Sequence, residues 1–312
     1  MEIIKISSSS NNFNLENIVA TIGEFDGLHL AHQALLKKTL EIAKEKNYKS
    51  ALITFEPHPD IVLKKDLDYV SLLSFEEKSD IIKNNNFNYL IVITFDNNLS
   101  NMEHNIFVQK FLLELGVKEL VVGYDFCYGF KGLGKAKSIA IDSNNQIKVH
   151  IIPEIIIEDK KVGSSLIKDL LSRGNVKKAK MLLGYNYRIS GEVVHGRNIG
   201  EKIKVPTANL KLDRKYPKLK EGVYAGKCFI NGQYYNAILN IGHNPSFNYY
   251  ENLSYEIHII EKNFSCNLYG QKITLELIEY LREEQVFKNI EDFQMQICKD
   301  KNQANLILNN TL

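Results

Sequence analysis

Two histidines, His29 and His32, lie three residues apart in the sequence IGEFDGLHLAHQ, which covers residues 22–33. An apolar run precedes this segment and an amphipathic run follows it, so both histidines fall at the start of a predicted helix. Free backbone N–H groups and the helix dipole favour anions there. Two imidazoles on one helix face could donate hydrogen bonds to phosphate oxygens and stabilise the charge on a leaving pyrophosphate. Gly23 and Gly27 would let the backbone approach a nucleotide closely.

The spacing of the two histidines alone leaves other interpretations open. One histidine could cap the helix while the other lies at the surface, and this ordinary interpretation is favoured when nothing else is considered. A zinc site is the weakest alternative, because no third ligand occurs at a recognisable spacing.

A second group of residues with chemical potential lies in the sequence GEVVHGRNIGEKIKVPTANL, which covers residues 191–210. Its glycines predict a tight loop before an extended segment. The Thr207 hydroxyl and the Asn209 carbonyl are hard oxygen ligands, suited to holding Mg²⁺ against a nucleotide phosphate. A proline-initiated strand with an asparagine turn explains the same residues when the segment is taken by itself.

The elements around the histidines alternate along the first half of the chain. Strands are predicted over residues 17–22, 50–55, 89–95 and 119–123, and helices over residues 34–46, 75–84 and 106–115. This alternation predicts a parallel sheet with helices on both faces. Ligands bind at the carboxyl ends of the strands in such a sheet, which is where the two histidines fall.

The pattern changes after two further predicted helices within residues 164–184. From residue 185 the chain consists of strand-like runs separated by turn residues, and Asn231-Gly232 between two of them is a strong hairpin signal. We therefore predict an antiparallel barrel or sandwich, followed by a last helix over residues 290–308. The domain boundary is placed near residues 184–187.

The composition narrows the class of protein. A chain of 312 residues with 44% hydrophobic residues suits two domains, and its net charge of +2 gives no basic field that would attract nucleic acid. Its four cysteines form no CxxC pair, which is typical of a reducing compartment. The sequence has no signal-peptide pattern and no apolar run long enough to span a bilayer. We expect a cytoplasmic protein that binds neither nucleic acid nor membrane.

Several motifs of the first half resemble the prokaryotic bifunctional riboflavin kinase/FAD synthetase family. GEFDGLHLAHQ is similar to its GxFDGxHxGHQ signature, TFEPHP at residues 54–59 to TFxPHP, VGYDFCYG at residues 122–129 to VGxDFRFG, and VGSSLIK at residues 162–168 lies where the family has ISSTxxR. The resemblance implies a nucleotidyltransferase that joins FMN to the AMP part of ATP, with His29 and His32 as catalytic residues. It also implies nucleotide-binding residues, namely Gly23, Phe25, Asp26, Gly27, Asp125, Ser164, Ser165 and Lys168, and flavin-binding residues, namely Phe55, Pro57 and Pro59.

The second half resembles riboflavin kinases. Residues 191–210 are similar to GxVxHGxxxGRxLGFPTAN, and EGVYA, YEIH, LYG and LREE follow in the family's order. The resemblance implies that Glu256 is the general base for the riboflavin 5′-hydroxyl, although a solvated strand residue is the alternative for that position. It further implies nucleotide-binding residues Gly196, Gly200, Lys204 and Pro206, flavin-binding residues Arg282 and Phe287, and Mg²⁺ ligands Thr207 and Asn209.

Departures from the family pattern leave three functions open. Cys127 stands where the family has arginine, Gly163 replaces a serine, and Lys168 replaces an arginine and lacks its bidentate fork. The chain could perform both reactions, act as a riboflavin kinase with a degenerate adenylyltransferase domain, or be a non-catalytic flavin- or nucleotide-binding regulator. We favour both reactions, because the motifs occur in the family's order over two differently patterned halves of the chain. A non-catalytic regulator is disfavoured, because binding alone would require no general base such as Glu256.

The resemblance also predicts the architecture and the ligands. A Rossmann-like nucleotidyltransferase domain (parallel sheet with flanking helices) is expected over residues 1–184, followed by a small antiparallel β-barrel kinase domain with a C-terminal helix over residues 185–312. Mg²⁺ is expected with ATP as co-substrate, and no permanently bound cofactor is expected. The expected partners are riboflavin, FMN, FAD and ATP, in a monomer or weak homo-oligomer.

Overall fold

The computed structural model describes residues 1–10, 13, 15–194, 208–243, 253–261 and 268–310. The chain divides into two compact units, Met1–Ser164 and Ser165–Leu312. The second unit therefore begins with the two helices that precede residue 185. The assignment of residues 165–184 to the first functional domain stays a prediction.

The first unit is built on a parallel sheet, as predicted, and the sheet has six strands rather than the four that were predicted. Its strands are β1 (Glu2–Ile6), β2 (Ile18–Ile22), β3 (Lys49–Glu56), β4 (Tyr89–Thr94), β5 (Val117–Gly123), the short β6 (Cys127–Tyr128) and β7 (Gly134–Lys135), β8 (Lys148–Ile152), and the short β9 (Ile156–Ile157) and β10 (Lys160–Lys161). Its helices are α1 (Leu30–Lys46), α2 (Pro59–Val62), α3 (Phe75–Asn84), α4 (Asn97–Ser100), α5 (His104–Val108) and α6 (Ile139–Asp142). The sheet has the order β1-β4-β3-β2-β5-β8, with every neighbouring pair parallel.

Both faces of this sheet are buried. In β2, Ile18, Ala20 and Ile22 belong to the apolar core that includes Phe107 of α5, while Val19 belongs to the core on the opposite face with the side chains of α1 and α3. This is why β2 reads as a continuous apolar run rather than an alternating one.

The strand order reverses beside β2. The chain passes from β2 to β3 and β4 on one side, and then returns to β5 on the other side of β2. A crevice at the carboxyl ends of two such diverging strands is where open parallel sheets bind ligands. The segments that follow β2 and β5 are the two that carry His29 and Asp125.

The second unit is a closed antiparallel barrel with helices. It contains α7 (Ser164–Ser172, from its second residue onward), α8 (Val176–Leu183), β11 (Arg188–Val194), β12 (Ala208–Leu212), β13 (Gly222–Ile230), β14 (Gln233–His243), β15 (Leu253–Ile259), β16 (Lys272–Arg282) and α9 (Ile290–Asn309). The barrel order is β11-β12-β15-β14-β13-β16, so the structure has a barrel rather than a sandwich.

Two features fix the barrel and its last helix. Asn231 and Gly232 both have positive φ, 47° and 87°. A two-residue turn with these φ values joins β13 to β14 in a hairpin, because its twist matches that of the strands. Ala304 and Leu308 of α9 are buried in a core with residues of the barrel, including Val223. The predicted hairpin and the predicted C-terminal helix are confirmed.

Candidate active sites

The turn between β2 and α1 has an unusual backbone. Phe25 and Leu28 have φ values of 52° and 40°, in the left-handed region that side chains other than glycine rarely adopt. Gly27 has a φ of 80°, which explains the glycine there. Gly23 has no positive φ and room for a Cβ, whose nearest neighbour would be the Phe25 ring at 3.5 Å. The packing of the protein therefore does not demand a glycine at position 23.

Several hydrogen bonds hold this turn. The Glu24 carbonyl accepts a hydrogen bond from the Lys78 ammonium at 2.7 Å and another from the Thr54 hydroxyl at 3.3 Å. The Asp26 carbonyl accepts the Ser164 hydroxyl at 2.8 Å. Backbone in sparsely populated regions persists where the surroundings over-determine it, and these bonds provide that restraint.

The Asp26 side chain also positions the turn. Its carboxylate is buried and accepts the Tyr69 hydroxyl and the Leu72 amide, each at 2.7 Å. The ring of Tyr69 stacks on that of His58 with centroids 3.7 Å apart, and His58 Nε2 lies 2.5 Å from a Glu24 carboxylate oxygen. The segment after β3 is thereby connected to the turn after β2, whereas the predicted role of Asp26 in binding nucleotide stays a prediction.

His29 and His32 form a stacked pair at the start of α1. Their ring centroids are 3.7 Å apart and their planes differ by 16°, and the Phe25 ring lies 5.1 Å from His32. The Nδ1 atoms of both histidines are buried and accept or donate no hydrogen bond among the described residues. His29 occupies the N-cap position without a side-chain capping bond, so the pair is neither the capping histidine nor the surface histidine of the alternative interpretation.

Burial keeps both imidazoles neutral at pH 7. It lowers the pKa of His29 from 6.5 to about 4, with the negative charge of Asp26 opposing the shift. It lowers the pKa of His32 well below 6.5, and the nearby His29 and Lys78 add to that effect. A neutral imidazole offers one N–H donor and one nitrogen acceptor. Buried polar atoms without a protein partner are expected where a ligand supplies the partner.

The residues after β5 and β3 lie at the same edge of the sheet. Asp125 follows β5 and makes an ion pair with Lys161, and the Cys127 thiol lies 3.1 Å from the Lys135 ammonium. Phe55 is the last residue but one of β3 and packs edge-on against Phe95 at 5.8 Å, whereas Pro57 is exposed and Pro59 begins α2. Ser165 and Lys168 belong to α7 in the second unit. The ligand contacts predicted for these residues stay predictions.

In the barrel, Glu256 of β15 lies between two asparagines. Asn209 of β12 and Asn240 of β14 are its register partners on the neighbouring strands. Burial raises the pKa of the Glu256 carboxyl above 4.5, and the negative charge of Glu284 adds to the rise. Glu256 is therefore not the fully solvated strand residue of the alternative interpretation.

A cavity of about 170 Å³ opens beside Glu256. Its apolar lining includes Phe287 and Phe293, whose rings meet edge to face at 5.3 Å. Arg282 also lines the cavity, but its guanidinium forms a bidentate pair with the buried Asp300 of α9. The aromatic and aliphatic walls fit a planar apolar ring system.

The oxygen ligands predicted for Mg²⁺ are described only in part. Thr207 lies outside the described residues, as do the predicted nucleotide-binding residues Gly196, Gly200, Lys204 and Pro206. Asn209 and Glu256 are cross-strand partners, so their oxygen atoms project from the same face of the barrel wall. Such a pair fits a hard divalent cation. Within the described residues, no cluster of three His, Cys, Asp or Glu side chains could hold a metal by itself.

Sequence reasoning did not identify Lys78, Tyr69 and Asp300 as parts of these sites. Lys78 carries the only usable signal, because it lies one helical turn from Ile82 on the apolar face of a predicted helix. Tyr69 and Asp300 reach their partners from 43 and 18 residues away, and no motif marks them.

Two family models match the chain, one in each half. Residues 11–166 match a model described as FAD synthetase, and residues 183–308 match one described as riboflavin kinase. A bifunctional riboflavin kinase/FMN adenylyltransferase from Bacillus subtilis is 35% identical over 92% of this chain and 91% of that protein. The protein of the same name from Listeria monocytogenes is 33% identical over 91% of this chain and 90% of that protein.

A solved structure has a similar fold over nearly the whole chain. It is a crystal structure described as a macrolide-efflux protein from Streptococcus pneumoniae, with a TM-score of 0.87, 26% identity, and coverage of 97% of this chain and 99% of that chain. In the part of this chain that the structure describes, no helix has the length and apolarity needed to cross a membrane.

Proposed function

The chain belongs to the family of bifunctional riboflavin kinase/FMN adenylyltransferases, and we propose that it phosphorylates riboflavin to FMN and then adenylylates FMN to FAD. The family models and the relatives named above support both activities. The observation that carries the second activity is the stacked, neutral pair of the buried His29 and the half-buried His32 at the carboxyl edge of the sheet, whose buried Nδ1 atoms are bound by no described residue.

For AMP transfer, an oxygen of the FMN phosphate attacks the α-phosphorus of ATP and pyrophosphate leaves. His29 and His32 donate N–H groups to phosphate oxygens, where negative charge increases as the bond to pyrophosphate breaks. The N–H groups at the start of α1 act in the same direction. Because both imidazoles lie in a buried site, each hydrogen bond to a developing charge is stronger than it would be in water.

For phosphorylation, Glu256 accepts the proton of the riboflavin 5′-hydroxyl as that oxygen attacks the γ-phosphorus of ATP and ADP leaves. The raised pKa of its carboxyl brings it closer to the working pH, which favours a general base. The cavity beside Glu256, with Phe287 and Phe293 in its wall, is proposed to take the flavin ring.

Mg²⁺ is proposed to accompany ATP in the kinase reaction, since kinases use a divalent metal as a rule. When bound, it neutralises charge on the transferred phosphoryl group. Asn209 and Thr207 would hold it, and Glu256 lies opposite Asn209 on the next strand. The expectations of a cytoplasmic location, a monomer or weak homo-oligomer, and no nucleic-acid or membrane partner stay predictions.

The test is to incubate the purified protein with riboflavin, ATP and Mg²⁺ and to follow the flavins by chromatography. FMN that appears first and then converts to FAD supports both activities. FMN that accumulates without FAD would mean that the changes at Cys127, Gly163 and Lys168 have inactivated AMP transfer. A tight flavin complex without ATP consumption would favour the non-catalytic regulator.

Reciprocal variants assign each reaction to its residue. Glu256→Gln should lower FMN formation by about 10²- to 10⁴-fold, the usual contribution of a general base, and leave FAD formation from supplied FMN unchanged. His32→Ala should lower FAD formation and leave FMN formation unchanged. In each variant, the reaction that is retained shows that the unit without the substitution is intact. If Glu256→Gln lost both reactions to the same extent, the assignment of the base would be wrong.

A further inference from the structure

Lys78 is a lysine on the buried face of a helix. It lies on α3 one turn before the fully buried Ile82, and only 9% of its surface is exposed. A buried ammonium loses its hydration and therefore needs compensating partners. An aliphatic residue would serve the packing of α3 at this position, so packing does not explain the lysine.

The Lys78 ammonium reaches the strained turn after β2. Within the described part of the chain, Lys78 Nζ donates one hydrogen bond, to the Glu24 carbonyl oxygen at 2.7 Å. Burial lowers the pKa of Lys78, while the negative charges of Asp26, Glu56 and Glu24 favour its protonated form. His32 lies close enough for the charge of Lys78 to lower the histidine pKa.

We propose that Lys78 is a positioning residue for AMP transfer, which holds the Glu24 carbonyl so that the strained turn presents His29 and His32 to the substrates. The left-handed φ values at Phe25 and Leu28 need such a restraint. The inference rests on the proposed adenylyltransferase function of the first unit. Lys78 acts through the turn, and the histidines remain the groups that touch the phosphates.

The test compares Lys78→Met with Lys83→Met, which removes an exposed lysine from the same helix. In the full chain, Lys78→Met should lower kcat for FAD formation on the order of a hundredfold, because a small misplacement of catalytic groups has effects of that size. KM for ATP should change little. FMN formation should stay unchanged because the second unit performs it, and an unchanged far-UV circular dichroism spectrum should show that the first unit keeps its fold. Lys83→Met should leave both reactions unchanged.

Two further readouts distinguish positioning from a merely structural role. Loss of the cation beside His32 should shift the acid limb of the pH profile of FAD formation to higher pH. Lys78→Arg, which restores a charged donor, should recover part of kcat. An unchanged kcat in Lys78→Met would overturn the inference, and so would a loss confined to KM for ATP, since that would make Lys78 a nucleotide ligand.

Histidine NMR separates this inference from the proposed function. The Cε1–Hε1 signals of His29 and His32, assigned with His29→Gln and His32→Gln, should move in Lys78→Met and not in Lys83→Met. This comparison needs no turnover, so it applies even to a chain that makes no FAD. Unmoved signals would overturn the role of Lys78, whereas absence of FAD from the unmodified protein would overturn only the adenylyltransferase proposal.

Discussion

The ion pair between Arg282 and Asp300 connects the last barrel strand to α9, and we expect its loss to destabilise the second unit. Arg282 Nε lies 3.0 and 3.2 Å from the two carboxylate oxygens of Asp300, and Nη2 lies 2.7 Å from one of them. Gln296 donates a further bond to the same carboxylate at 2.9 Å. The side chains of Arg282 and Asp300 are 17% and 4% exposed. Asp300→Asn would keep the shape of the side chain and leave a buried guanidinium without its counter-charge.

The burial of the pair sets the expected magnitude. Removing one partner of a buried ion pair costs about 3–5 kcal/mol. Arg282 Nη1 retains its bond to the Glu283 carbonyl and some contact with solvent, so Asp300→Asn should fall at the lower end, about 3 kcal/mol. The matched control is Asp169→Asn in the same unit. Its pair with Arg173 has side chains 45% and 72% exposed, and an exposed pair contributes about 1 kcal/mol or less.

The assay is urea unfolding followed by tyrosine fluorescence, since the chain has 16 tyrosines and no tryptophan. FMN formation, for which we propose the cavity that Arg282 lines, should fall in Asp300→Asn more than FAD formation from supplied FMN. The double variant Arg282→Met/Asp300→Leu should be more stable than Asp300→Asn, because no charge stays buried alone. Equal losses in Asp300→Asn and Asp169→Asn would refute the reasoning.

Two further predictions concern the pH dependence of stability and the packing of glycines. Because the pKa of His29 is about 4 in the folded chain and 6.5 in the unfolded chain, the unfolded chain binds the proton first, and stability is lost as the pH falls from 6.5 towards 4. Between pH 7 and 5 this loss amounts to about 2 kcal/mol, so urea midpoints should fall further in the unmodified protein than in His29→Gln; equal decreases would contradict it. Gly191→Ala would place a Cβ 2.3 Å from the Lys211 carbonyl oxygen and should destabilise the barrel. The Cβ of Gly163→Ala meets no described atom within 4 Å, so this variant should change the unfolding free energy by less than about 0.5 kcal/mol. Thermal unfolding of the two alanine variants would decide the last point.

The sequence predicts the buried elements better than the edges of the fold. Both bounds of α3 agree with the prediction, because Ser74 and Glu77 form a capping box and the apolar spacing is regular. The edge strands β1 and β8 were not predicted, since neither has the continuous apolar run of a strand buried on both faces. The helix predicted over residues 106–115 is α5 followed by a π-helical turn, Gln109–Leu113, which apolar spacing does not distinguish from an α-helix.

The candidate sites were predicted where motifs mark them and not where long-range contacts complete them. The motif around His29 and His32 led directly to the crevice, but the stacking of their rings depends on a turn whose left-handed residues, Phe25 and Leu28, have no compositional signal. Arg282 was predicted beside the flavin, and the sequence offered no sign that its guanidinium would be paired with Asp300. Such pairings depend on tertiary packing, which local patterns do not encode.

Burial shifts the pKa values of the proposed catalytic groups in opposite directions, downward for His29 and His32 and upward for Glu256. A buried site disfavours the charged form of any titratable group. For His29 and His32 the charged form is the protonated one, so burial leaves neutral rings that can stack at 3.7 Å without mutual repulsion and still donate hydrogen bonds to phosphate. For Glu256 the charged form is the deprotonated one, so burial makes the carboxylate a stronger proton acceptor. The same loss of hydration therefore suits the histidines to binding a developing negative charge and the glutamate to removing a proton from a hydroxyl group.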